Sequence, residues 1–91
     1  MAPVKRNVKL PENPITLSVQ QIDELNRNLT RMRHDIKGHL TVVGLAAELI
    51  STKPEAAKEH IRTLLEQPPK FELALQTFTA AFEQALGITR F

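Results

Sequence analysis

Apolar residues recur at steps of three and four from Ile22 to Ile50, which is the spacing of one face of an α-helix. This seam includes one histidine and consists of Ile22, Leu25, Leu29, Met32, Ile36, His39, Val43, Ala46 and Ile50. A heptad pattern kept over this length is typical of a helix that packs lengthwise against others. The second half carries additional apolar residues, namely Leu40, Val42, Leu45 and Leu49. The pattern therefore predicts a long first helix with more than one helical neighbour.

The polar residues before the seam mark where this helix begins. Ser18 is a preferred N-cap residue, and Gln21 three positions later completes a capping box. Residues 1–17 show no helical period and contain three prolines together with the basic residues Lys5, Arg6 and Lys9. The sequence therefore predicts an extended N-terminal arm over 1–17 and a helix that starts at Ser18.

Two later segments interrupt the helical pattern. Residues 51–55 combine capping residues with Pro54, and so short a link makes the following helix antiparallel to the first. Pro68 and Pro69 remove two backbone donors and are expected to break or sharply kink the chain. Gly87 is a suitable C-cap for the last helix. We expect helices at about 18–51, 54–66 and 69–86.

Composition supports an all-α fold. The 91 residues are 42% hydrophobic but only 4% aromatic, which suits packing of Leu, Ala and Val between helices. A helical layer of this size buries too little apolar surface to be stable alone, so a partner is expected, either a second copy or a different chain. The sequence predicts an antiparallel helical hairpin over 18–91 that dimerises into a four-helix bundle.

The composition offers few routes to metal, membrane or nucleic-acid binding. The chain has no cysteine, and neither a signal peptide nor a membrane-spanning apolar run is recognisable, so a cytoplasmic protein is expected. The net charge of +2 is too small to indicate nucleic-acid binding. His34, His39 and His60 lack the spacing of metal ligands, and no carboxylate cluster completes a set, so no metal is expected.

The sequence pattern predicts that His34 is the reactive residue of this protein. With Ile36 on the seam, His34 lies on the face directed away from the core, where its imidazole is an available nucleophile. Arg31 and Lys37, about one turn to either side, are suited to balancing charge on a phosphoryl group. The outward strip is basic and contains Arg27, Thr30, Arg31, Lys37, Gly38 and Thr41.

The run Arg33-His34-Asp35-Ile36-Lys37-Gly38-His39-Leu40 has a characteristic spacing. An acidic residue comes directly after the histidine, a basic residue at the third place after it and a leucine at the sixth. This run, within residues 29–49, resembles the H-box of the dimerisation and phosphotransfer domain of sensor histidine kinases. It is also similar to the corresponding helix of sporulation-type phosphotransferases. The resemblance implies that His34 accepts a phosphoryl group on a ring nitrogen and that Asp35 is its acid/base companion. It also implies a receiver domain or a kinase ATP-binding domain as partner, met through Arg31, Lys37, Gly38 and Thr41.

Two positions depart from the family pattern. Gly38 stands where the family usually has Asn or Thr, and a glycine cannot position the water that dephosphorylation needs. Its missing side chain instead leads us to expect close approach of a partner's backbone. His39 stands where the family often has proline, and its seam position predicts a hydrogen-bonded core or interface residue. The sequence has no phosphate-cradling loop, so we expect no bound cofactor, and ATP only through a partner or a kinase domain outside this sequence.

Three functions remain open at this point. In the first, His34 accepts a phosphoryl group and passes it to a receiver aspartate. In the second, the chain is a non-catalytic dimeric interaction protein that binds and regulates a histidine kinase or response regulator. A nucleic-acid surface formed by the arm with Arg27, Arg31 and Arg33 ranks last, because base-stacking aromatics are absent from it. An ordinary solvated helix face is the simplest interpretation of the basic strip.

Overall fold

The computed structural model describes residues 7–91. Helices dominate it, with α1 at Val19–Thr52, α2 at Ala57–Leu65 and α3 at Gln67–Leu86. A 3-10 turn at Pro54–Ala56 links α1 to α2, and the short strands β1 (Val8–Lys9) and β2 (Thr89–Arg90) flank the helices. The prediction of a mostly helical chain with a long first helix is confirmed. Residues 1–6 of the predicted arm, including Lys5 and Arg6, lie outside the described residues.

The capping box at Ser18 sets the start of α1. The Ser18 backbone N–H donates to Gln21 Oε1 at 2.8 Å, and the Gln21 backbone N–H donates to Ser18 Oγ at 3.0 Å. These two bonds satisfy donors that the first turn of a helix leaves free. The helix then runs for 34 residues, or about 51 Å, until Lys53 closes it by donating to the carbonyl of Leu49 at 2.8 Å.

The two prolines lie inside α3 rather than between two helices. The interruption falls one step earlier at Glu66, and α3 begins at Gln67 instead of the expected 69. Proline is tolerated in a first turn because the N–H it lacks would have no helical partner there. Gln67 is buried, and its Nε2 donates to the carbonyl of Thr63 at 3.0 Å, which ties the end of α2 to the start of α3.

Helix α3 runs antiparallel to α1. The rings of His39 and Phe71 meet edge to face with their centroids 5.7 Å apart. Met32 shares a groove with Phe78, and further towards the start of α1 Leu25 shares a cleft with Ala85. Residue numbers therefore fall along α3 as they rise along α1. Helix α2 also packs against α1.

The described residues bury very little of their apolar surface. Ala46 is the one apolar residue among them that is fully buried. Several large apolar side chains remain exposed, and we call five of them, each between 36% and 56% exposed, the second apolar face: Ile22, Leu29 and Leu40 of α1 with Leu75 and Phe82 of α3. Among residues 7–91, no helix is long and apolar enough to cross a membrane.

The arm is tied to the segment that follows α3. Strands β1 and β2 pair antiparallel, with Val8 opposite Arg90, and the Phe91 N–H donates to the carbonyl of Asn7 at 2.9 Å. Gly87 makes this return possible because it adopts φ +68°, a left-handed conformation in which side chains are disfavoured. The sequence pattern did not predict this pairing, since two-residue strands carry no recognisable period.

Candidate functional site

The helix α1 places the side chain of His34 in solvent. Ile36 is half-buried two residues further on, while His34 itself is exposed. A helix turns by about 100° per residue, so a residue two positions from the packed seam points to its far side. The imidazole is therefore accessible to another molecule.

A shallow depression surrounds His34, and we call it the histidine face: Thr30, Arg33, His34, Ile36, Lys37 and Leu40. Neither Arg33 nor Lys37 forms an ion pair within residues 7–91. By contrast, Arg27 is engaged by Asp23, with 3.1 Å between Nε and Oδ2. Two cations of the histidine face are therefore free to meet an anion beside the imidazole.

Asp35 lies on a different surface from His34. It lines a groove of about 280 Å³ between α1 and α3, together with Arg31 and His39 of α1 and Lys70 and Phe78 of α3. Adjacent residues on a helix do not face each other, and residues 7–91 contain no hydrogen bond between His34 and Asp35. Within the described residues of a single chain, Asp35 therefore does not hydrogen-bond to the imidazole of His34.

The six predicted site residues thus fall into separate groups. His34 and Lys37 share the histidine face, and Arg31 and Asp35 share the α1–α3 groove. The Thr41 hydroxyl donates to the Lys37 carbonyl at 3.0 Å, so its proton is committed to the backbone of α1.

Gly38 leaves open space one turn after His34. No atom comes within 4 Å of the position that a Cβ would take there. Packing within the chain therefore does not require a glycine, although glycine in a helix interior costs about 1 kcal/mol relative to alanine.

His39 occupies the boundary between the two helices. It is half-buried and its ring meets Phe71 edge to face, but residues 7–91 provide no hydrogen bond to the imidazole, contrary to the hydrogen-bonded position that the sequence predicts. No group of three or more metal-ligating side chains comes together in this part of the chain. Lys70 reaches the groove from α3, a position that the sequence pattern of α1 could not reveal.

Fold and site together define a small, mostly helical protein that exposes a histidine midway along its longest helix, beside two cations without an ion-pair partner among residues 7–91. Compared with protein-family models, curated proteins and solved structures, the chain matches none of them. The resemblance to a phosphoacceptor helix therefore stays a prediction from the residues around His34.

Proposed function

We propose that this chain is the phosphotransfer and dimerisation module of a two-component phosphorelay. The single observation that carries the proposal is the exposed imidazole of His34 beside Arg33 and Lys37, neither of which forms an ion pair in the described part of the chain. The module acts in the cytoplasm and holds no ATP of its own. Its partners are a receiver domain and the ATP-binding domain of a histidine kinase.

The transfer step needs a nucleophile and positive charge more than further covalent chemistry. A neutral ring nitrogen of His34 attacks the phosphorus of a receiver's phosphoaspartate. The N–P bond forms, the P–O bond to the aspartate breaks, and the carboxylate leaves with the electron pair. The other ring nitrogen releases its proton to water. Lys37 and Arg33 are placed to balance the charge on the three phosphoryl oxygens, and the reverse sequence passes the group on.

The module forms an antiparallel hairpin that pairs with a second copy as a four-helix bundle. We view each helix from its N-terminus, where successive residues turn clockwise by about 100°. The α1 part of the second apolar face then lies about a quarter turn clockwise from Met32 and His39. The α3 part lies about 70° clockwise from Ala74 and Phe78. Because the helices are antiparallel, rotations of the same sense bring both parts to one side of the pair. A second copy covers that side, while His34 remains outside.

The test is transfer of label to His34. The protein is incubated with a phosphorylated receiver domain, or with a kinase ATP-binding domain and labelled ATP, and acid-labile label is measured. His34→Gln is expected to lose the label, and His60→Gln on α2 is expected to keep it. Label retained by His34→Gln would refute the assignment.

A second candidate function is favoured by the position of Asp35. Since that carboxylate faces the α1–α3 groove and not the imidazole, a non-catalytic protein that docks on a kinase or receiver is also compatible with the site. In that case the partner binds wild type and His34→Gln with equal affinity, and neither protein acquires label.

A further inference from the structure

The outer edges of α1 and α3 carry opposite, unpaired charges beside the second apolar face. On α1, Lys37 lies about 70° beyond the apolar residues in the direction of His34. On α3, Glu72 lies about 70° beyond Leu75 and Phe82 in the same rotational sense. Both side chains are exposed, and neither has an ion-pair partner within residues 7–91.

Glu72 is the available carboxylate on that edge of α3. Glu83 lines the same surface, but its Oε1 already accepts from Arg90 Nε at 3.0 Å. The remaining polar neighbours on this edge, Gln76 and Thr79, are uncharged. A cation that meets this edge therefore has one free anionic partner.

The antiparallel register places Lys37 and Glu72 at the same height along the bundle. His39 is level with Phe71, because their rings are in contact. Each helix advances about 1.5 Å per residue, so Glu72 is level with Gly38, within about 1.5 Å of the height of Lys37. Within one chain the two side chains point away from the α1–α3 contact and cannot meet.

A two-fold axis parallel to the helices preserves these heights in the second copy. It sets α1 of one chain against α3 of the other and brings apolar residues together at matching levels. Leu29 comes level with Phe82 of the second copy, and Ile36 with its Leu75, both within about 1.5 Å. The seven-residue spacing on each helix satisfies both contacts at once, which selects this arrangement of the two copies.

We propose that Glu72 of the second copy pairs with Lys37 and closes the histidine face from the side, so that the site around His34 is built by two chains. This inference rests on the dimer of the proposed function. In the assembled bundle the two residues occupy the flanking positions that commonly carry interhelical ion pairs. Glu72 is a positioning residue, since it holds Lys37 beside the imidazole. An ammonium group has three N–H donors, so Lys37 can contact Glu72 and a phosphoryl oxygen together.

Charge exchange tests the pairing in the full chain. Lys37→Glu and Glu72→Lys are each expected to weaken dimerisation about tenfold, because two symmetric contacts become repulsive. The double variant restores the dissociation constant to within about threefold of wild type, because the exchanged pair is again attractive. Sedimentation equilibrium measures the constants, and Lys70→Glu is the control, because Lys70 lies in the α1–α3 groove and outside the proposed interface.

The possible results distinguish the Lys37–Glu72 pair from the dimer on which it rests. Rescue by the double variant supports the pair. A wild-type dimer whose single variants are unaffected, or whose double variant shows no rescue, overturns the pair and leaves the dimer standing. A monomeric wild type overturns both the dimer and the pair. Labelling of His34 is measured separately, so phosphotransfer stands or falls on its own result.

Discussion

Gly38 offers a test that separates a functional glycine from one that the helix merely tolerates. The space around it is open, since no atom lies within 4 Å of the position of a Cβ. Its φ is not positive, so alanine fits α1 without strain. Gly38→Ala is therefore expected to stabilise the chain by about 1 kcal/mol, because alanine loses less backbone entropy on folding. For a domain of this size, that gain raises Tm by about 4–8 °C.

Thermal unfolding at a fixed protein concentration measures the gain, and Gly44→Ala is the matched control. Gly44 also lies inside α1 with nothing within 4 Å of a Cβ, so both variants are expected to gain about 1 kcal/mol. Only Gly38 lies one turn from His34, so only Gly38→Ala is expected to slow phosphoryl transfer, by about tenfold or more through displacement of the partner. A loss of stability at position 38, or equal transfer rates in the two variants, would refute the reasoning.

Three further perturbations follow from the fold. Ser18→Ala removes the capping box and is expected to lower the free energy of unfolding by about 1 kcal/mol in urea titrations, with Ser51→Ala unchanged within error. Gly87→Ala is expected to lower the free energy of unfolding by about 1 kcal/mol because of the left-handed φ alone, since the new Cβ would lie at an ordinary contact distance of 3.8 Å from Pro11. Faster amide exchange at Phe91 would report loosening of the strand pair, and unchanged stability would contradict the expectation. Leu29→Asp is expected to convert the dimer to monomer in sedimentation, whereas Leu73→Asp, at a more exposed leucine outside the second apolar face, leaves the dimer intact. A dimer in both variants would argue against that face.

The start of α1 was predictable because its determinants are local. Ser18 and Gln21 are three residues apart, and a capping box needs only that spacing to form. The end of α3 at Gly87 was predictable for the same reason, since few residues other than glycine adopt a left-handed C-cap easily. Helix α3 starts two residues earlier than the sequence pattern predicts, because a first helical turn accommodates the proline pair that would break a helix further along.

The candidate site was predictable only in part. The heptad seam was sufficient to place His34 on an exposed face, because helix geometry fixes the direction of each side chain relative to its neighbours. The separation of Asp35 from His34 follows from the same geometry. The residues that surround Asp35 could not be predicted in this way. Lys70 joins Asp35 and Arg31 only because α3 returns along α1 in one particular register.

The sequence by itself determined the local features of this protein: the long amphipathic helix, its capped start, the glycine at its last C-cap and the outward direction of His34. The tertiary structure decided which segments meet. It paired β1 with β2, set Phe71 against His39, and left the second apolar face uncovered. The physical reason is that capping and helical periodicity act over a few residues, whereas register between distant segments depends on how whole surfaces pack.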